Sequence, residues 1–333
     1  MSIKPSIYTL LILLVIIVGG IVLLISRQHN VPAQNRSVDS VIEKKWVAPE
    51  SKLIPATEEG ELIKYGRELI ANTSHYFGPK GIVAAISNGL NCQNCHLDAG
   101  TRLYANSFAT VAASYPKYRD RSGRVESIVF RINECMERSM NGKQFDSTSK
   151  EIKAMVAYIK WVGKDVTAST PKAGTETLQM PFIDRAADTL KGKAIYMAKC
   201  IVCHGTNGEG KPNADSSGYF YPPLWGHDSY NVSAGMYRLT RLAPFIKYNM
   251  PYSVNENKPM LTDEEAWDVA AYISSQQRPQ KFFSYDWPKK NSKPVDYPFG
   301  PFDDSFPSIQ HKYGPFKEMK KLKDIRNQNS LNK

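Results

Sequence analysis

Two C-x-x-C-H pentapeptides stand in this 333-residue chain, CQNCH with Cys92, Cys95 and His96, and CIVCH with Cys200, Cys203 and His204. They take up four of its five cysteines. Each position in the motif has a chemical role. Two thiols about one helical turn apart bond to the vinyl groups of a haem, and the adjacent His supplies the proximal iron ligand. Two covalently bound haem c groups are therefore expected, one per motif. A zinc ribbon assembled from the two C-x-x-C pairs is the competing chemistry. The pairs are too far apart for a compact ribbon, and His follows both. The fifth cysteine, Cys135, remains to be explained.

A plan used twice positions these groups. EEGELIKYGRELI opens a first helical domain and SKEIKAMVAYIKWVG closes it, with Thr148 and Glu151 as the expected capping box. DTLKGKAIYMAKCIVCH runs as a helix into the second haem motif, and LTDEEAWDVAAYISSQQ closes a second domain, with Thr262 and Glu265 as its capping box. The result is an internal repeat of roughly a hundred residues. Domains this small bury little surface of their own, so each haem serves as much of its domain's core. Trp161 and Trp267, on the closing helices, are expected to pack there. The fold class is all-α: tandem class I cytochrome c domains, one covalent haem each, after an N-terminal transmembrane helix. The expected boundaries are an anchor or signal at 1–27, a polar tether at 28–57, a first domain at 58–165, a linker at 166–185, a second domain at 186–280, and an extension at 281–333. That extension, rich in proline and aromatics, is expected to wrap over the domains in extended form and to fray near its end.

Residues 7–26, IYTLLILLVIIVGGIVLLIS, form an uncharged apolar run of about the length that spans a bilayer. An uncleaved anchor is the favoured reading; cleavage near Val31, Pro32 and Ala33 is the second. Covalent haem attachment is made outside the cytoplasm, so the bulk of the chain is expected in the periplasm, anchored to the inner membrane. The formal net charge of +11 suits anionic ligands and an acidic redox partner. No nucleic-acid motif is present, and nucleic acid is not an expected partner.

The sixth iron ligand separates an electron carrier from a catalyst. In the second domain the candidates are His227, Met236, Lys247, Met250 and Met260, and Met250, followed by Pro251 shortly before the closing helix, is the expected one. In the first domain, RVESIVFRINECMERSMNG reads as a helix ending at the turn Asn141 and Gly142, with Val125, Ile128, Val129, Ile132 and Met136 at helical spacing. Cys135 lies at the edge of that stripe, Arg131 is four residues earlier on the same side, and Arg138 three later. Positive neighbours lower a thiol pKa, and a thiolate is both an iron ligand and a nucleophile. From the residues alone, a small buried hydrophobe at Cys135, with Met136 or Met140 as the ligand, stands as the alternative.

With these residues in hand, the chain resembles the dihaem thiosulfate dehydrogenases, which interconvert thiosulfate and tetrathionate. The resemblance covers roughly residues 60–280 and rests on the two haem motifs, INECMERSMNG and FIKYNMP. It implies that His96 and Cys135 ligate the first, catalytic haem and that His204 and Met250 ligate the second. It also implies that Arg131 and Arg121, four and fourteen residues before Cys135, belong to the active site. Some members carry a Lys just before that Met and exchange the two ligands on reduction. This chain has Asn249 there, so a stable His/Met second haem is expected.

The reaction so implied joins two thiosulfates into tetrathionate with release of two electrons, or runs in reverse. Arg121 and Arg131, with Arg138 as a third candidate, would hold the dianion by charge-assisted hydrogen bonds. Cys135 would have one of two duties, leaving the iron to form a transient sulfur adduct, which is the favoured one, or staying ligated and setting a low potential for the first haem; electrons would leave to a cytochrome or a membrane acceptor. Two other functions compete: a membrane-anchored dihaem electron shuttle, which predicts Met ligands on both haems, and a Cys-ligated haem subunit of a multicomponent sulfur-oxidising system, which needs a carrier protein.

Overall fold

The computed structural model describes residues 45–167 and 173–331, all within one compact unit. The apolar run at 7–26, and with it the expected transmembrane helix, lies outside the described residues. Among those described, no helix is long and apolar enough to cross a membrane.

The first domain is built on α1 (Glu58–Ala71), α2 (Ile128–Arg138) and α3 (Lys150–Val162), and the second on α4 (Thr189–Lys199), α5 (Leu239–Asn249) and α6 (Asp263–Ser275). In each, the opening helix crosses the closing one at a glycine. A Cβ on Gly66 of α1 would stand 2.0 Å from the Ala154 carbonyl oxygen of α3, and one on Gly192 of α4 would stand 1.9 Å from that of Asp268 on α6. Tyr158 and Tyr272, each four residues further along the closing helix, press their Cβ atoms on the same two glycines. Only a residue without a side chain permits so close an approach. This shared crossing is the repeat seen in three dimensions, and each domain has its own apolar core around it. Trp161 and Trp267 are both buried in those cores, as expected.

Local chemistry shifts several boundaries. Two antiparallel hairpins interrupt the all-α plan, β1 (Lys117–Arg119) with β2 (Arg124–Glu126) and β3 (Lys211–Pro212) with β4 (Tyr219–Tyr221). The helix that carries Cys135 therefore starts at Ile128, where the Ser127 hydroxyl accepts from the Phe130 amide at 3.2 Å, and Val125 is an exposed strand residue. The cap of α3 is Ser149, because Asp146 Oδ1 takes both the amide and the hydroxyl of Thr148 at 2.8 Å. The capping box of Thr262 and Glu265 forms on α6 as expected. The helix entering the second motif breaks at Cys200 and resumes over Ile201–His204.

The segments flanking the domains are more firmly placed than their polarity suggests. Trp46 and Ile54, assigned to the tether, are buried in the first core, and the Trp46 amide donates to the Ala173 carbonyl across from the linker. The extension does not fray over its described length. It folds into a short helix (Ser308–Tyr313) and α7 (Lys317–Leu331), with Phe316 and Met319 buried in the second core.

Candidate active site

The CQNCH motif is pinned to the end of α1. The Cys92 amide donates to the Thr73 hydroxyl at 3.0 Å, and the Gln93 side-chain amide to the Ala71 carbonyl at 2.7 Å. His96 Nδ1 donates to the Asn106 carbonyl at 2.6 Å, which leaves Nε2 as the nitrogen with a free lone pair. Burial pushes the His96 imidazole down to about 4, so it is neutral. His204 repeats the arrangement, with Nδ1 donating to the Pro222 carbonyl at 2.9 Å. Two unlinked thiols beside an oriented, neutral imidazole fit covalent haem attachment, and the cavities fit its bulk.

The first cavity, about 1030 Å³, is lined by both motif thiols, His96, Phe108, Ile132 and Ile159 among other apolar groups. The second, about 720 Å³, is lined by Cys200, His204, Leu242, Phe245 and Met250. Cys203 is half-buried next to Tyr221. Leu90, Asn94, Cys95, Tyr230 and Met236 line both cavities and so form a shared wall.

The structure sorts the candidate sixth ligands. Around the second cavity His227 is exposed, Met260 is largely exposed and Lys247 is paired with Asp263; Met250 and Met236 both line the cavity. Around the first, Cys135, Met136 and Met140 all reach the same cavity, with the two methionines buried in the core.

The arginines separate. Arg131 lines the first cavity beside Cys135, and its Nη1 donates to Glu134 Oε2 at 3.0 Å. The nearby thiolate form of Cys135 holds the Arg131 guanidinium well above its ordinary pKa. Arg121 does not line the cavity. Its Nη2 donates to the Ser233 carbonyl at 2.9 Å, and burial, followed by the charge of Arg138, lowers it to about 10. Arg138 does not line the cavity either: it is buried, with Nη1 and Nη2 on the two oxygens of Asp286 at 2.8 and 2.7 Å and Nη2 also on Glu134 Oε1 at 3.2 Å. The correction has a simple cause, since a buried guanidinium requires a carboxylate and the extension brings one.

Glu134 and Asp286 were missed in the sequence. Glu134, three and four residues from the two arginines, carried a usable helical signal. Asp286 carried none, because nothing local places it beside residue 138.

Known proteins carry the same organisation. Residues 83–167 match a family described as SoxA/TsdA, cytochrome c domain, and residues 189–277 match cytochrome c. One covalent haem c belongs to each. A thiosulfate dehydrogenase from Stutzerimonas stutzeri (strain A1501) is 34% identical over 273 residues, 81% of this chain and 86% of that protein. One from Allochromatium vinosum is 36% identical over 235 residues, 69% of this chain and 83% of its own. A solved structure titled thiosulfate dehydrogenase (TsdBA) from Marichromatium purpuratum superposes with a TM-score of 0.65 at 32% identity. It covers 72% of this chain, which in turn spans about half (52%) of that longer one. Similarity at this level through both haem domains, and not through one cytochrome unit alone, means that the chain belongs to the thiosulfate dehydrogenase family.

Proposed function

We propose that this protein interconverts thiosulfate and tetrathionate, with the sulfur chemistry in the first cavity. The observation that carries the reading is that Cys135 and Arg131 share a cavity with the CQNCH motif. A pure electron shuttle has no use for that pairing.

His96 and Cys135 are the residues that would hold the iron of the first haem, and His204 and Met250 that of the second. When bound, the haems accept the two electrons of the reaction and relay them outward. Arg131 holds the sulfonate oxygens of thiosulfate, and the charge of Arg121, buried outside the cavity, helps to offset the repulsion between two dianions. The Cys135 thiolate and the terminal sulfur of one thiosulfate form an S–S bond with loss of two electrons, giving a Cys135–S–SO₃⁻ adduct. A second thiosulfate attacks the adduct at its outer sulfur; tetrathionate leaves, and the Cys135 thiolate is restored. The reverse sequence reduces tetrathionate.

The supporting setting is periplasmic, since covalent haem attachment is made there. The apolar run at 7–26 supports an inner-membrane anchor, and the net charge of +11 an acidic cytochrome or membrane acceptor. The carrier-dependent alternative shares the first-domain family match, whereas the dehydrogenase relatives extend through both domains. The test is purified holoenzyme with thiosulfate and an artificial acceptor. Tetrathionate is the expected product; its absence, with consumption restored by an added carrier protein, would replace this reading with the carrier-dependent one.

A further inference from the structure

We infer that Asp286 is a positioning residue of the anion site: it orients Arg131 through Arg138 and Glu134. The inference rests on the function proposed above. Asp286 lies outside both segments that match cytochrome domains, 83–167 and 189–277. It arrives on a strap that is fastened to both domains. The Lys281 ammonium donates to the Gly142 carbonyl at 2.9 Å, the Ser233 hydroxyl donates to the Lys281 carbonyl at 2.6 Å, and the Trp287 amide donates to the Arg121 carbonyl at 2.6 Å.

From there, one chain of ion pairs runs to the cavity. Asp286 grips Arg138 with both oxygens at 2.7 and 2.8 Å, Arg138 holds Glu134 Oε1 at 3.2 Å, and Glu134 Oε2 holds Arg131 at 3.0 Å. Asp286 Oδ2 also stands 3.6 Å from Arg121 Nε. The side chains of Arg138, Glu134 and Asp286 are 2%, 3% and 5% exposed, so water does not substitute for any of them.

The geometry decides what Asp286 does. A bidentate guanidinium–carboxylate pair fixes direction as well as distance. Glu134 has two oxygens, one for each arginine. With Asp286 in place, Arg138 needs only one of them, and the other keeps the Arg131 guanidinium turned along the cavity wall beside Cys135. Without Asp286, Arg138 is no longer fixed, Glu134 loses the partner that holds it in register, and Arg131 loses its guide.

Coulomb attraction alone argues the other way. Removing a negative charge beside Arg138 and Arg121 makes the site more attractive to a dianion. The sign of the effect therefore separates positioning from bulk charge.

The test is Asp286→Asn in the holoenzyme. The KM for thiosulfate is expected to rise about tenfold with kcat changed by less than about threefold and haem content unchanged, the scale of a misplaced binding group. Asp286→Glu is expected to recover most of the loss. Lys289→Met, which removes an exposed cation from the same segment and touches neither an arginine nor the fastenings of the strap, is expected to leave KM unchanged. Should Asp286→Asn fail to accumulate, the double variant Arg138→Met/Asp286→Leu removes both buried charges, and its KM is also expected to rise.

A fall or no change in KM for Asp286→Asn, an equal rise in Lys289→Met, or a wild-type KM in the double variant would overturn the inference. Calorimetric titration of thiosulfate into the electrochemically reduced holoenzyme separates this from the functional reading. A wild type that binds thiosulfate but makes no tetrathionate refutes the function, while a raised Kd in Asp286→Asn still supports the positioning role. A wild type that does not bind thiosulfate refutes both.

Discussion

At the scale of single residues, the first cavity brings together the Cys135 thiol, the Arg131 guanidinium and the oriented His96 imidazole. Cys135→Gly is expected to keep both haems attached, since Cys92, Cys95, Cys200 and Cys203 are untouched, and to cut turnover by at least about 10³-fold, as loss of a nucleophile does. Pigment content and the tetrathionate assay measure the two halves of that statement. Arg131→Ala removes a hydrogen-bonded charge at the cavity wall, which costs about 2 kcal/mol or more in ligand handling. That corresponds to roughly 30-fold in kcat/KM. Met250→Gly is expected to abolish the weak near-infrared band of Met-to-iron ligation. Persistence of the band would assign the second haem to Met236, the other methionine lining that cavity.

At the scale of elements, the two glycine crossings set how closely each pair of helices packs. Gly66→Ala and Gly192→Ala each place a methyl group on a carbonyl oxygen 2.0 or 1.9 Å away, so the helices must separate. A loss of about 1–3 kcal/mol is expected, read from thermal melting of the holoenzyme. Gly235→Ala, where nothing lies within 4 Å of the added carbon, is the control and should leave the melt unchanged. Helix identity was legible in the sequence because apolar spacing and caps are local. Thr262 with Glu265 named the start of α6 for that reason. Ser149 displaced Thr148 because an acceptor two residues earlier, Asp146, competed for the same hydroxyl. Cys135 and Arg131 were legible as neighbours because helical periodicity puts them on one side. The fate of Arg138 was not, because its partner is brought by the tertiary fold.

At the scale of the molecule, the extension joins the two haem domains through buried carboxylates. Asp296 is its hold on the second domain: it accepts from Arg238 Nε at 2.8 Å and from the Thr240 amide at 2.9 Å. Burial alone would raise this carboxyl, but Arg238 and the Thr240 bonds hold it below the ordinary aspartate value. A depressed folded pKa stabilises above the unfolded value, about 3.9, and that stability is lost as pH falls through the folded value. Asp296→Asn is therefore expected to cost about 3 kcal/mol between pH 5 and 8, because it leaves Arg238 without its carboxylate. The gap from wild type should begin to narrow below about pH 4 and close as pH falls through the folded value, measured as urea midpoints across pH.

The strap also imposes an order of assembly. Arg138 precedes Asp286 by 148 residues. At about 5–20 residues per second, the ribosome delivers the first roughly 7 to 30 s before the second. Both C-x-x-C-H motifs are complete by then, so the residues that fasten each pigment outside the cytoplasm do not wait on the strap. The cofactor and substrate residues belong to the early chain, and its last fifty or so residues add the counter-charge inferred to orient Arg131. A translation product that stops short of the strap would be coloured like the enzyme without being set to hold thiosulfate.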